Sequence, residues 1–151
     1  MTVNEHATIV QTVERLLRDL TISVRRQGRA VLAKFEITPA QFEALVMADN
    51  ETQLTIGDLG SKLGLAYSTV TDLIDRLECQ DYVVRVRDRS DKRIVRVCVL
   101  DKGRALIEEV LLARRRYLAN ILSLMPEEKR TAFVDVLETL GHKLHDSHAN
   151  T

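Results

Sequence analysis

Apolar side chains return every three or four residues along most of this chain, and the exceptions mark its joints. Ile9, Val13, Leu16, Leu20 and Val24 fall on one helical face, which predicts a long amphipathic helix from about residue 5 to about residue 30. The start of the next helix is written in polar residues: Thr38 as N-cap, Pro39 at the first helical position and Gln41 closing a capping box, with Phe42 and Leu45 facing inward. Thr55 and Asp58 repeat that box ahead of Leu59 and Leu63, and Gly64 is placed to end a short helix in the left-handed conformation. A further helix begins near Ser68 with Val70, Leu73, Ile74 and Leu77 as its buried stripe. Two short helices joined by a glycine-containing turn read as a helix-turn-helix.

After Asp81 the period drops to two. Tyr82, Val84 and Val86 alternate with Arg85 and Arg87, and Val95, Val97 and Val99 alternate with Arg96 and Cys98. Two strands are expected, one valine face covering the helices and one arginine face open. The Asp88-Arg89-Ser90-Asp91 segment supplies the turn between them. Helical spacing then resumes: Asp101 is expected to cap a helix bearing Leu106, Val110, Ala113, Tyr117 and Ile121, and Pro126 to open a last one bearing Phe133, Leu137, Leu140 and Leu144. The expected fold is therefore mainly α with a small β-hairpin wing. A winged helix-turn-helix would occupy residues 36–103, and residues 1–35 and 104–148 would form a helical dimerisation region. The stripes at the two chain ends lack an obvious partner in sequence, and two-fold pairing covers them.

Composition changes this picture only locally. The 151 residues are 45% hydrophobic, enough for one domain with a real core. No signal peptide and no membrane-length apolar run is evident, and Cys79 and Cys98 read as free thiols of a reducing compartment, so a cytoplasmic protein is expected. Total charge is zero, yet from Arg85 to Arg96 six basic residues face two acidic ones, a local +4. There is no glycine-rich phosphate loop and no nucleophile beside a base, which argues against an enzyme and leaves no cofactor to expect.

A basic ribbon directly after a helix-turn-helix is the chemistry of a DNA-binding wing. The helix from Ser68 would enter the major groove while the hairpin follows the backbone and sends an arginine toward the minor groove, where negative potential concentrates. The bland alternative is a charged hairpin that only protects a strand edge. Ser68, Thr69, Thr71 and Asp72 are the candidate base contacts, with Tyr67 and Arg76 on the flanking backbone and Lys62 a weaker phosphate candidate. Ser68 can equally be a plain N-cap, and Thr71 a surface residue. Arg85, Arg87, Arg89, Lys92 and Arg93 are the wing candidates.

The stretches ITPAQFEAL, TIGDLGSKLGLAYSTVTDLIDRLE and VVRVRDRSDKRIVRVCVLDKG resemble the MarR family of winged helix-turn-helix transcriptional regulators, from about Thr38 to Arg104. The resemblance implies a homodimeric repressor on inverted-repeat double-stranded DNA, released by a small, often aromatic or phenolic effector or by an oxidant. It also implies that Asp91 orients the wing arginine, Arg93. Three positions depart from the family pattern. Asp72 stands where a basic residue is common, and residues 68–81 are formally −3, although an aspartate can accept from a cytosine amine. Asp81 replaces a glycine between helix and strand, where an aspartate tolerates the left-handed conformation at some cost, and Asp101 replaces a threonine cap.

Other signals are weaker. An effector crevice between the helical ends and the winged unit would draw on Leu16, Phe42 and Leu106, although each of them reads more readily as ordinary core. His142, His145 and His148 are spaced to meet on a helix, but a solvated helix end is the better reading, and no metal is expected. Cys98 shares the parity of Arg96, so an oxidation-responsive regulator is one alternative, and a winged protein-interaction module without specific DNA binding is another.

Overall fold

Six helices and one hairpin follow in the order α1 (Val3–Lys34), α2 (Pro39–Asn50), α3 (Ile56–Leu63), α4 (Tyr67–Cys79), β1 (Val83–Arg87), β2 (Val95–Val99), α5 (Asp101–Leu122) and α6 (Glu127–Ala149). The structure is a computed structural model and describes residues 3–149. It is mainly α with a two-stranded antiparallel wing, as the periodicity implies.

The helix starts obey the polar signals. Thr38 caps α2 and Thr55 caps α3, each in a complete capping box with Gln41 or Asp58. Gly64 ends α3 at φ 66°, and the Leu65 N–H reaches back to the Gly60 carbonyl at 2.9 Å. Asp81 does the same for α4 at φ 60°: the Tyr82 N–H donates to the Leu77 carbonyl (2.9 Å) and the Asp81 N–H to that of Glu78 (3.0 Å). Three boundaries shift by one residue. Helix α4 starts at Tyr67 after Ala66, so Ser68 lies inside the first turn and is not the cap. Asp101 and Pro126 also move: α5 includes Asp101 as its first residue, and Pro126 immediately precedes α6.

The chain divides into two compact units, one ending at Arg114 and one beginning at Arg115, within α5. In the first, α2, α3, α4 and the hairpin enclose Leu45, Leu59, Val70, Ile74, Leu77, Val83 and Val97, all at 0–1% exposure. Each such side chain contributes about 1.5–3 kcal/mol of burial. The C-terminal end of α1 and the start of α5 join this core through Leu32, Leu106, Ile107 and Val110. Gly103 marks the tightest approach, since a Cβ there would lie 2.5 Å from the Tyr82 carbonyl oxygen.

The hairpin pairs Val83 with Val99, Arg85 with Val97 and Arg87 with Val95. That register corrects the expected face of β1. Val83 and Arg85 turn toward the helices, whereas Val86 is 46% exposed. On β2 the expected face holds, with Val97 and Val99 buried. β2 is also tied to the segment before α3, where the Val97 N–H donates to the Leu54 carbonyl at 2.9 Å. The second unit comprises the end of α5 and α6, where Val134, Val136, Leu137, Leu140 and Leu144 are all exposed.

Candidate nucleic-acid interface

One side of α4 is core and the other is solvent. Ser68, Thr69, Asp72, Asp75, Arg76 and Cys79 are exposed, and Tyr67 at the helix start is 64% exposed. Thr71 is half-buried, and its hydroxyl donates to the Tyr67 carbonyl at 2.9 Å, which leaves its oxygen free to accept. Of the expected base-contact residues, Ser68, Thr69 and Asp72 are thus exposed on α4 and Thr71 is half-buried. Lys62 is less available: its Nζ lies 2.8 Å from Glu51 Oε2 in an exposed ion pair, a contact worth at most about 1 kcal/mol.

Arg85 is the main correction. Expected on the open face of the wing, it turns inward with its side chain 22% exposed. Its Nη1 donates to Glu78 Oε2 (2.6 Å), its Nη2 to Asp75 Oδ1 (2.5 Å), and its backbone N–H to Glu78 Oε1 (2.8 Å). Burial opposes its charge, but the hydrogen bonds to Asp75 and Glu78 and their field outweigh that and raise its pKa. Arg85 therefore braces the wing against α4, and it pairs with two of the four acidic groups of this helix region, offsetting one of their two charges.

The loop is built around a second brace, centred on Asp88. Asp88 Oδ1 accepts from the Ser90 N–H (2.8 Å), the Ser90 hydroxyl (2.5 Å) and the Asp91 N–H (3.2 Å). Its Oδ2 accepts from Arg96 Nε (3.3 Å) and Nη2 (3.2 Å), and Arg96 Nη1 donates to the Gln53 carbonyl (2.8 Å). The Ser90 hydroxyl and backbone, then Asp91 N–H and Arg96, hold the Asp88 carboxyl well below the usual carboxylate range. The signal in the sequence is Asp88 two residues before Ser90, an Asx-turn spacing.

What remains positive is the tip. Asp91 accepts from the Arg93 N–H (3.0 Å), Nε (3.1 Å) and Nη2 (3.1 Å), yet the Arg93 side chain stays 91% exposed. Arg93 holds the Asp91 pKa down in turn. Arg87, Arg89 and Lys92 are exposed, and among the described residues none has an internal ion pair. Of the six basic residues in the hairpin window, two are internal braces and four are presented.

The expected effector residues do not assemble. Phe42 and Leu106 are 3% and 2% exposed and belong to the core. Leu16 is 45% exposed and lies 16 residues before Leu32 on α1, about 24 Å along the helix axis at ~1.5 Å per residue. The three do not line one crevice in this chain. Cys79 is exposed and Cys98 half-buried. His142 is exposed, whereas the side chains of His145 and His148 lie outside the described residues. Among the described residues no cluster of potential metal ligands occurs, and no helix is long and apolar enough to cross a membrane.

Comparison with known proteins agrees with this geometry. The MarR family model matches residues 37–95. The uncharacterized HTH-type transcriptional regulator YsmB of Bacillus subtilis is 36% identical over 135 residues, 89% of this chain and 92% of that protein. A MarR family protein from Bacillus stearothermophilus is 40% identical with a TM-score of 0.81, covering 92% of this chain and 97% of its own. The transcriptional regulator Tm0710 of Thermotoga maritima is 36% identical with a TM-score of 0.77, covering 92% and 98%.

Proposed function

This chain belongs to the MarR family of winged helix-turn-helix transcriptional regulators, and from that premise we propose that it acts in the cytoplasm as a homodimeric, effector-responsive repressor of an inverted-repeat operator. Its relatives are named as transcriptional regulators of the HTH type. The observation that carries the proposal is the sorting of charge on the wing: Arg85 and Arg96 are consumed as braces, while Arg87, Arg89, Lys92 and Arg93 project from a loop fixed by Asp88 and Asp91. In this reading Ser68, Thr69, Thr71 and Asp72 meet base edges, Tyr67 and Arg76 the flanking backbone, and the wing tip the phosphates and minor groove.

Two further observations support the finer parts. The apolar residues of α1 from Ile9 to Leu20 and those of α6 from Val134 to Leu144 are exposed within one chain, and a second copy related by a two-fold axis supplies a matching surface. For the effector, the Arg114 guanidinium lies over the Phe42 ring at 5.3 Å with its buried Nε unpaired. Burial, then the nearby Arg25 charge, lowers its pKa, and a small organic anion placed beside it would favour the charged guanidinium.

Selection from random duplexes followed by titration tests the proposal. An enriched inverted repeat should bind at least ~10³-fold more tightly than bulk DNA at physiological salt. Weak binding with little salt dependence would favour a protein-interaction module instead.

A further inference from the structure

Four acidic residues lie on α4 and its exit, and three have structural duties. Asp75 and Glu78 hold Arg85, and Asp81 forms the left-handed exit at φ 60°. Asp72 has none. It is exposed one turn after Ser68, on the face that also carries Asp75 and Arg76, and among the described residues no cation of the chain pairs with it. The neighbouring Arg76 is a turn further on and is likewise exposed.

An unpaired carboxylate in the middle of a surface that meets a polyanion raises the free energy of every complex in which it finds no donor. The only donors on base edges in the major groove are the cytosine N4 amine and the adenine N6 amine. They differ in their neighbours. Adenine N6 sits between two acceptors, its own N7 and the O4 of thymine, so a carboxylate oxygen approaching it meets repulsion from both sides. Cytosine N4 has an acceptor on one side alone, the O6 of guanine. A carboxylate is also acceptor-only, so it cannot use adenine N7 as an amide does.

We propose that Asp72 is a specificity-determining residue that selects a cytosine in each operator half-site and rejects other bases at that position. The assignment rests on the DNA-binding reading above and deepens it. The carboxylate weakens binding to unmatched DNA and is compensated at a C·G pair presented in one orientation. The wing, whose four projecting cations contact backbone, supplies attraction that is indifferent to sequence, and Asp72 converts part of that attraction into discrimination.

The test is a parallel selection from randomised duplexes with the intact wild-type chain, Asp72→Asn and Asp72→Ala, each checked by circular dichroism. Asp72 is exposed and unpartnered, so both variants should fold. The wild-type motif should fix one cytosine per half-site. Asp72→Asn should move that position toward adenine, because an amide pairs with adenine N6 and N7 together. Asp72→Ala should leave the position open, lose at least about tenfold discrimination there and bind an unrelated duplex more tightly than wild type does. Variants that return the wild-type motif unchanged would overturn the assignment, as would a wild-type base other than cytosine at the position that responds. A wild-type chain that enriches no motif overturns the DNA reading itself, and this assignment with it.

Discussion

The apolar stripes of α4 and α1 look alike in sequence and meet opposite fates. Val70, Ile74 and Leu77 are 0% exposed, whereas Ile9, Val13, Leu16 and Leu20 are 44–50% exposed. Periodicity decides that a segment is helical with one apolar face, and it does not say which surface covers that face. For α4 the cover is close in sequence, since α2, α3 and β1 pack on it. For the first two-thirds of α1 the winged unit offers none, because only its C-terminal end reaches the core at Leu32. The exposed stripe is where the proposed second copy enters.

The largest effect should come from breaking that second half. Leu16→Asp with Leu20→Asp places charge in the stripe without touching a residue of the core. The double variant should sediment as a monomer with its helical content retained, and operator affinity should fall by about 10²- to 10⁴-fold as two linked reading heads become one. A dimer that persists at micromolar concentration would remove α1 as the covered face. The contrast sharpens with matched truncations. Ile74→Ala should cost about 2–5 kcal/mol of unfolding free energy, whereas Ile9→Ala, measured below the concentration of dimer dissociation, should cost no more than about 0.5 kcal/mol. Equal costs in denaturant titrations would mean that the two stripes do not differ.

The same contrast explains what could be read without coordinates. Local grammar was legible where one residue decides one conformation: the boxes Thr38–Gln41 and Thr55–Asp58, the left-handed exits at Gly64 and Asp81, and the Asp91–Arg93 pairing implied by family resemblance. Reading failed where the deciding group is distant. In β1, valines occupy both parities at Val83, Val84 and Val86, so alternation alone cannot choose a face. The tie is broken by Asp75 and Glu78, seven to ten residues away on another element, which draw Arg85 inward. Leu16, Phe42 and Leu106 failed for a related reason. Each obeys its own helix period, and only packing sends two of them into the core and leaves the third outside.

Within the interface, the wing separates into cations that brace and cations that project, and removing projecting ones should have smaller effects than splitting the dimer. Arg93→Ala should weaken operator binding by about tenfold or more without altering circular dichroism. Lys92→Ala and Arg89→Ala should each act less strongly and more evenly across sequences, each lowering the slope of log K against log salt by about 1. An unchanged dissociation constant for Arg93→Ala would remove that residue from the contact.

The smallest expected effect is one of pH, and it distinguishes the ionic wing from the apolar stripes by a different route. Asp88 is held below its ordinary pKa by Ser90, Asp91 and Arg96, and Asp91 by Arg93. A carboxylate whose folded pKa is depressed contributes stability that is fully present above its unfolded pKa of about 3.9 and is lost as pH falls through the folded value. The wing should therefore be insensitive to pH between about 8 and 5, and should loosen only in stronger acid. The apolar stripe residues carry no titrating group and gain nothing from that change. Hydrogen exchange at the Ser90 and Asp91 amides, corrected for intrinsic rate, reports the loop directly, since both N–H groups donate to Asp88. Protection should hold at pH 5, decline below about 4, and be already reduced at neutral pH in Asp88→Asn, whose neutral amide keeps the shape but loses the charge-assisted bonds. Protection in that variant equal to wild type would show that the loop is ordered by something other than the Asp88 carboxylate, and the fixed presentation of the four projecting cations would need another cause.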